Sequence, residues 1–134
     1  MPTKVLIIED DISLAQLYKV ALEIKGYQVS VAHDGEEGMQ LAIQEIPDVL
    51  LLDIMMPKVT GLELLVQIKD NPKIRHIPII MLTNFGQEQN IKEAFDRGAT
   101  EFILKYHITP EELAGKIASI LKPEPMKIAE ETSS

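Results

Sequence analysis

The chain has 134 residues, of which 46% are hydrophobic, and this size is typical of one domain with a buried core. Its 21 acidic residues outnumber 13 basic ones, giving a net charge of −8, which suits neither nucleic acid nor anionic lipid because both bind through Lys and Arg. There is no Cys, so disulfides and thiolate metal sites are excluded. A strand pattern begins by Lys4, and no apolar run approaches the roughly 20 residues of a membrane span. We therefore expect a cytoplasmic protein that binds no membrane and contacts no nucleic acid directly.

Strand-like and helix-like segments alternate along the chain. Residues 5–8 are all apolar, as expected of a central strand that is covered on both faces. A helical stripe follows, ending near Gly26 and formed by Leu14, Leu17, Tyr18, Ala21 and Leu22. Residues 27–32 alternate between apolar and polar, which favours a strand at or near a sheet edge. A second helical stripe, ended by Pro47, contains Met39, Ala42, Ile43 and Ile46.

The same alternation continues to residue 122. Residues 49–52 form a third apolar strand, and the helical stripe after it contains Gly61, Leu64, Leu65 and Ile68. The fourth strand, residues 77–82, should have Pro78 at its start, because proline cannot donate to a strand ladder. A short fourth helix carries Ile91, Ala94 and Phe95. Residues 101–104 are the fifth strand, and the last helix opens with a capping box formed by Thr109 and Glu112 around Pro110.

Five alternating strands and helices predict an α/β fold with an open, doubly wound parallel sheet and right-handed crossovers. In such sheets the ligand site lies beyond the carboxyl ends of the strands, at a topological switch point. We expect one domain over residues 1–122, with residues 123–134 as a polar tail or the start of a linker.

Four polar residues end four of the predicted strands: Asp10, Asp53, Thr83 and Lys105. Each has a simpler interpretation on its own. Asp10 and Asp11 would cap the first helix, Asp53 would be a solvated turn residue, Thr83 would cap the fourth helix, and Lys105 would be a surface ammonium. Their equivalent places after strands one, three, four and five instead favour one shared pocket.

The chemistry of this set indicates phosphoryl binding with a divalent cation. Glu9, Asp10 and Asp53 would repel one another unless a cation neutralised them, and oxygen ligands without His or Cys favour Mg²⁺ or Mn²⁺. Asp53 would be the nucleophile that forms an aspartyl-phosphate. Lys105 would balance the phosphoryl charge, and the Thr83 hydroxyl would donate a hydrogen bond to a phosphoryl oxygen.

Residues 3–122 resemble the receiver domain of bacterial response regulators, the phosphorelay proteins of two-component systems. The resemblance is carried by I-I-E-D-D after the first strand, L-L-L-D-I-M-M-P-x-x-x-G-L-E around Asp53, M-L-T at Thr83, and Lys105. It implies a flavodoxin-like (βα)₅ fold with strand order 2-1-3-4-5. It also implies that Asp53 accepts a phosphoryl group from a histidine kinase or phosphotransfer protein, and that the domain is no turnover enzyme but assists its own phosphorylation and dephosphorylation.

The resemblance further implies roles for the neighbouring residues. Asp10 would bind Mg²⁺ directly, Glu9 largely through water, and the backbone carbonyl of Met55 would be a further ligand. Phe102 occupies the place of a switch aromatic whose rotamer follows Thr83. The fourth helix, fifth strand and fifth helix would then change their affinity for a downstream protein or for a second copy of the chain.

Three residues depart from the receiver pattern. Asn84 stands where a small residue is common, which affects access to the phosphate. Tyr106 follows Lys105 in place of the usual proline, so we expect either a trans link or a strained cis one. Phe102 lacks the phenol hydroxyl that would hydrogen-bond at the surface.

Three other functions compete with the receiver assignment. An aspartyl phosphohydrolase would need a second Asp at the place of Met55. A flavin carrier would need a first loop without the acidic Glu9-Asp10-Asp11 run. The complete set of site residues argues against a pseudo-receiver that binds partners without phosphorylation, although Asn84 and Tyr106 keep this alternative open.

Overall fold

The computed structural model describes residues 2–122, and the tail expected at 123–134 lies outside them. The strands are β1 (Lys4–Ile8), β2 (Gln28–Ala32), β3 (Val49–Asp53), β4 (Ile79–Thr83) and β5 (Glu101–Leu104). The helices are α1 (Ile12–Ile24), α2 (Gly35–Glu45), α3 (Gly61–Asp70), α4 (Glu88–Asp96) and α5 (Pro110–Leu121). In this part of the chain no helix has the length and apolarity needed to cross a membrane.

The five strands form one parallel sheet in the order β2-β1-β3-β4-β5. Successive side chains of a strand point to opposite faces, so β1 contributes Leu6 and Ile8 to one hydrophobic cluster and Val5 and Ile7 to another. The first cluster lies under α2, α3 and α4, and the second under α1 and α5. The predicted fold class, strand order and edge position of β2 are confirmed.

Two residues of the predicted helical stripes lie outside the buried faces. Leu17 and Ile46 are 57% and 44% exposed. Leu17 lies beside the buried face of α1 rather than on it. Ile46 follows α2 in a left-handed conformation, with φ of 46°, which turns it out of the stripe. Phe95 lies in α4 as predicted, is 42% exposed, and packs edge-to-face on Phe102 of β5 at 6.2 Å between ring centres.

The helix starts distinguish among the capping hypotheses. Asp11 is the N-cap of α1, and its side chain accepts from the Leu14 amide, which leaves Asp10 outside that role. Thr109 and Glu112 form the predicted capping box of α5. Thr83 does not cap the fourth helix, because α4 begins after Gln87 and has no side-chain cap hydrogen bond.

Gly61 allows the start of α3 to lie directly against the end of β3. Its amide donates to the Ile54 carbonyl at 3.0 Å. A Cβ at this position would overlap the Asp53 carbonyl oxygen and lie 2.8 Å from the Ile54 Cα. The absence of a side chain at Gly61 therefore sets the path of the loop that follows Asp53.

We expect Gly61→Ala to lower the free energy of unfolding by at least about 2 kcal/mol, because backbone atoms of β3 must move to admit the methyl group. Urea unfolding followed by circular dichroism measures this. Gly115→Ala is the matched control, since a Cβ at Gly115 in α5 meets nothing within 4 Å. It should be stabilising by about 0.5–1 kcal/mol. An equal loss of unfolding free energy in both variants would contradict the close approach of Gly61 to the end of β3.

Candidate functional site

The carboxyl ends of four strands bring the predicted site residues to one edge of the sheet. Ile8 is paired with Leu52, Asp53 with Leu82, and Thr83 with Leu104. The residues that end or directly follow these strands are therefore neighbours. The side chains of Glu9, Asp53, Thr83 and Lys105 are buried, whereas Asp10 is exposed.

Lys105 joins two of the acids. Its Nζ lies 2.9 Å from Glu9 Oε1 and 2.9 Å from Asp53 Oδ1. The contact with Glu9 is an ion pair without good hydrogen-bond alignment, since Glu9 Oε1 has no hydrogen-bond partner in the described chain. The other Glu9 oxygen accepts from the Asp11 amide at 3.0 Å. The ammonium thus neutralises part of a buried negative charge that otherwise has no counter-ion.

The two oxygens of Asp53 differ in their surroundings. Oδ1 accepts from the Met55 amide at 3.2 Å and contacts Lys105. Oδ2 is buried and has no hydrogen-bond partner among the described residues. A buried carboxylate oxygen without a partner is costly unless it is protonated or meets a ligand. Oδ2 is therefore the oxygen available for a cation or an incoming electrophile.

The pKa shifts in the cluster follow from the conflict between its charges. Burial, reinforced by the Glu9 and Asp10 carboxyl groups, raises the pKa of Asp53 to about 8, although Lys105 opposes the shift. Burial also acts on Lys105, but contacts with Asp53 and Glu9 outweigh it and raise the Lys105 pKa. For Asp10, partial burial is outweighed by interactions with Asp53 and Glu9, and the pKa falls. One ammonium does not balance three carboxylates, so the cluster retains a proton or takes up a cation.

The donor set fits a hard divalent cation. One carboxylate oxygen from each of Glu9, Asp10 and Asp53 lies within 4.8 Å of the others. All donors are oxygens, as Mg²⁺ and Mn²⁺ prefer. Asp53 Oδ2, which has no hydrogen-bond partner among the described residues, also supports the predicted metal site. Met55 lies in the loop that follows Asp53.

Thr83 reaches the same edge of the sheet, but its hydroxyl is engaged elsewhere. It donates to Gln87 Oε1 at 2.7 Å and lies 3.2 Å from the Asn84 carbonyl. The role of Gln87 was missed by sequence reasoning, because it matches no motif and its position depends on the path of the β4–α4 loop. Phe102 is half-buried in β5 and packs against Phe95.

Tyr106 shapes the loop after Lys105. The described residues contain no cis peptide bond, so the Lys105–Tyr106 link is trans, which confirms one of the two alternatives. Tyr106 adopts a left-handed conformation with φ of 64°. Its hydroxyl donates to Asp11 Oδ2 at 2.6 Å and links this loop to the N-cap of α1.

Known proteins resemble this chain in sequence and in fold. The family model described as "Response regulator receiver domain" matches residues 5–118. The DNA-binding dual master transcriptional regulator RpaA of Synechocystis is 36% identical over 119 residues, covering 89% of this chain and 49% of that protein. The crystal structure of the chemotaxis protein CheY4 of Vibrio cholerae superposes with a TM-score of 0.84 at 30% identity, covering 90% of this chain and 100% of that one. A CheY-like receiver domain protein from Methanospirillum hungatei gives 0.83 at 28% identity, covering 90% and 94% of the two chains.

The fold and the acidic pocket define a phosphoacceptor type of α/β domain. The chain belongs to the response regulator receiver domain family, as the sequence resemblance predicted. Members of this family are signalling domains of two-component systems that interact with histidine kinases or phosphotransfer proteins. The chain spans about half the length of the curated transcriptional regulators that it matches.

We expect Asp53→Asn to stabilise the protein when divalent cations are absent, because it removes one of three clustered carboxylates. The folded-state pKa of Asp53, about 8, exceeds its ordinary value of 3.8. Between these values the folded protein therefore holds a proton that the unfolded chain releases, and wild-type stability falls as pH rises. The advantage of the variant should grow across this window and reach on the order of 2 kcal/mol above it.

Urea unfolding with a chelator, repeated with Mg²⁺, measures this effect. Mg²⁺ should reduce the difference in free energy of unfolding between Asp53→Asn and the wild type, because it stabilises the wild type, which has all three acids. Asp96→Asn, at an exposed position of α4, is the control and should show no such pH dependence. A less stable Asp53→Asn protein at alkaline pH without Mg²⁺ would contradict the proposed charge conflict.

Replacing Tyr106 tests the link between the two loops. The Tyr106 hydroxyl, and next the Leu14 amide, lower the pKa of Asp11. In Tyr106→Phe that pKa should rise towards the ordinary value without reaching it, since the Leu14 hydrogen bond remains. An NMR titration of the Asp11 carboxyl carbon without divalent cations measures the shift, with Tyr27→Phe as control. An unchanged Asp11 pKa would mean that the hydrogen bond does not form in solution.

Proposed function

We propose that this chain is a phosphoacceptor receiver in which Asp53 accepts a phosphoryl group from a phosphohistidine of a histidine kinase or phosphotransfer protein. The main support is the buried Asp53 carboxylate, whose Oδ2 is unpartnered while its Oδ1 is held by Lys105 and the Met55 amide. These contacts fix the carboxylate and leave one oxygen as the nucleophile. The lack of Cys agrees with the reducing cytoplasm that we propose as its location.

The transfer exchanges one bond for another. A bond forms between an Asp53 oxygen and phosphorus while the bond from phosphorus to the donor imidazole nitrogen breaks, and its electron pair stays on the imidazole. Lys105, already 2.9 Å from Asp53 Oδ1, is placed to balance charge on the phosphoryl oxygens. Thr83 would donate its hydroxyl hydrogen to one of these oxygens after leaving its present partner.

We propose Mg²⁺ as the cofactor, with Mn²⁺ as a substitute. Asp10 and Asp53 would bind it directly, Glu9 largely through water, and Met55 through its backbone carbonyl. The bound ion would neutralise the acidic cluster and allow a phosphoryl group to approach it. Lys105 alone leaves excess negative charge among Glu9, Asp10 and Asp53, which supports the requirement for the metal.

The output proposed is a change in the face formed by α4, β5 and α5. Phosphorylation adds nearly two negative charges, and movement of Thr83 would displace the β4–α4 loop. Phe102, half-buried against Phe95 of α4, would follow. This face would then bind a downstream protein or a second phosphorylated copy.

We expect acetyl phosphate with Mg²⁺ to add the mass of one phosphoryl group to the wild-type chain, as measured by intact-protein mass spectrometry. Asp53→Asn should gain none because it lacks the nucleophile, and a chelator should prevent modification of the wild type. Asp96→Asn is the matched control and should be modified like the wild type.

Three results would argue against this proposal. Equal labelling of wild type and Asp53→Asn would remove Asp53 as the acceptor. No labelling of the wild type, with the fold intact, would favour the pseudo-receiver that Asn84 and Tyr106 suggest. Sustained turnover of small phosphoesters would favour a phosphohydrolase, although Met55 occupies the place where such enzymes carry their second Asp.

A further inference from the structure

The side chain of Gln87 holds the Thr83 hydroxyl in a defined hydrogen bond. Gln87 Oε1 accepts from the Asn84 amide at 2.8 Å and lies 2.7 Å from Thr83 Oγ1. A backbone N–H can only donate, so the atom facing Asn84 must be the amide oxygen of Gln87. Thr83 must therefore be the donor in its own contact with that oxygen.

Gln87 also occupies the start of α4. It is the N-cap residue, its carbonyl accepts from the Ile91 amide at 3.0 Å, and α4 has no side-chain cap. The Gln87 side chain does not cap α4 but contacts Thr83, at the end of β4, and Asn84. One residue thus connects the hydroxyl at the phosphoryl site to the first turn of the helix.

A hydroxyl has one hydrogen to donate. In the present arrangement two acceptors face that hydrogen, Gln87 Oε1 at 2.7 Å and, less closely, the Asn84 carbonyl at 3.2 Å, so Thr83 cannot at the same time donate to a phosphoryl oxygen on Asp53. Thr83 is fully buried, and water is therefore a poor substitute for either partner. Gln87 and a phosphoryl oxygen would therefore compete for one donor.

We propose that Gln87 is a positioning residue that holds Thr83 in its resting state, and that release of this hydrogen bond is the step that frees the start of α4 on phosphorylation. The inference rests on the proposed function, because it requires a phosphoryl group on Asp53 as the competing acceptor. Gln87 is not among the residues of the receiver motifs.

Gln87→Ala should increase the affinity for beryllofluoride with Mg²⁺, a non-covalent mimic of the phosphoryl group, by about three- to tenfold. The reason is that Gln87 no longer competes with the mimic for the Thr83 hydroxyl. Isothermal titration calorimetry on the intact chain measures this affinity. Gln89→Ala, the same change at an exposed position of α4, should bind like the wild type. Gln87→Glu keeps an acceptor oxygen and should show no gain.

A double-mutant cycle separates positioning from general loosening of α4. Thr83→Val removes the hydroxyl at similar volume, so adding Gln87→Ala to it should produce no further gain in affinity. A loosened helix would instead change the affinity equally in both backgrounds. Far-UV circular dichroism establishes that each variant is folded.

The outcomes distinguish this inference from the proposed function. If the wild type binds beryllofluoride and Gln87→Ala binds it equally well or more weakly, the role of Gln87 alone is overturned. An equal gain in the Thr83→Val background would also overturn it. A wild-type protein that binds no beryllofluoride would overturn the proposed function, and the role of Gln87 with it.

Discussion

The buried ammonium of Lys105 is the contact on which the site depends. It lies 2.9 Å from both Glu9 and Asp53, which are two of the three clustered carboxylates. Without it, the acids would have to be separated or protonated to remain buried. With it, the charge is only partly balanced, and a bound cation would offset the remaining imbalance.

The packing of the sheet brings these side chains to the same place. The central strands β1, β3 and β4 are almost entirely buried, and their parallel register places Glu9, Asp53 and Thr83 side by side without any direct attraction between them. Local features then refine the geometry. Gly61 keeps α3 close behind Asp53, and the Met55 amide orients its Oδ1. The hydrophobic core therefore provides the free energy that holds like charges together.

Sequence periodicity was enough to predict the parallel sheet and the strand-end residues that meet at its edge. The strand order was predicted from the family resemblance. Periodicity failed for Leu17, which lies at the rim of the buried face of α1. It also failed for contacts fixed by loop paths. The Thr83–Gln87 and Tyr106–Asp11 hydrogen bonds join residues that no spacing rule relates, because each depends on how a loop turns after its strand ends.

The helix that would respond to Thr83 is also the least firmly packed. Only Ala94 of α4 is buried, whereas α3 buries Gly61, Leu64, Leu65 and Ile68. An element with few buried apolar contacts can shift at a small cost in free energy. The loss or gain of one hydrogen bond at Gln87, worth about 1 kcal/mol, therefore has more influence on the position of α4 than it would have on a helix packed as deeply as α3.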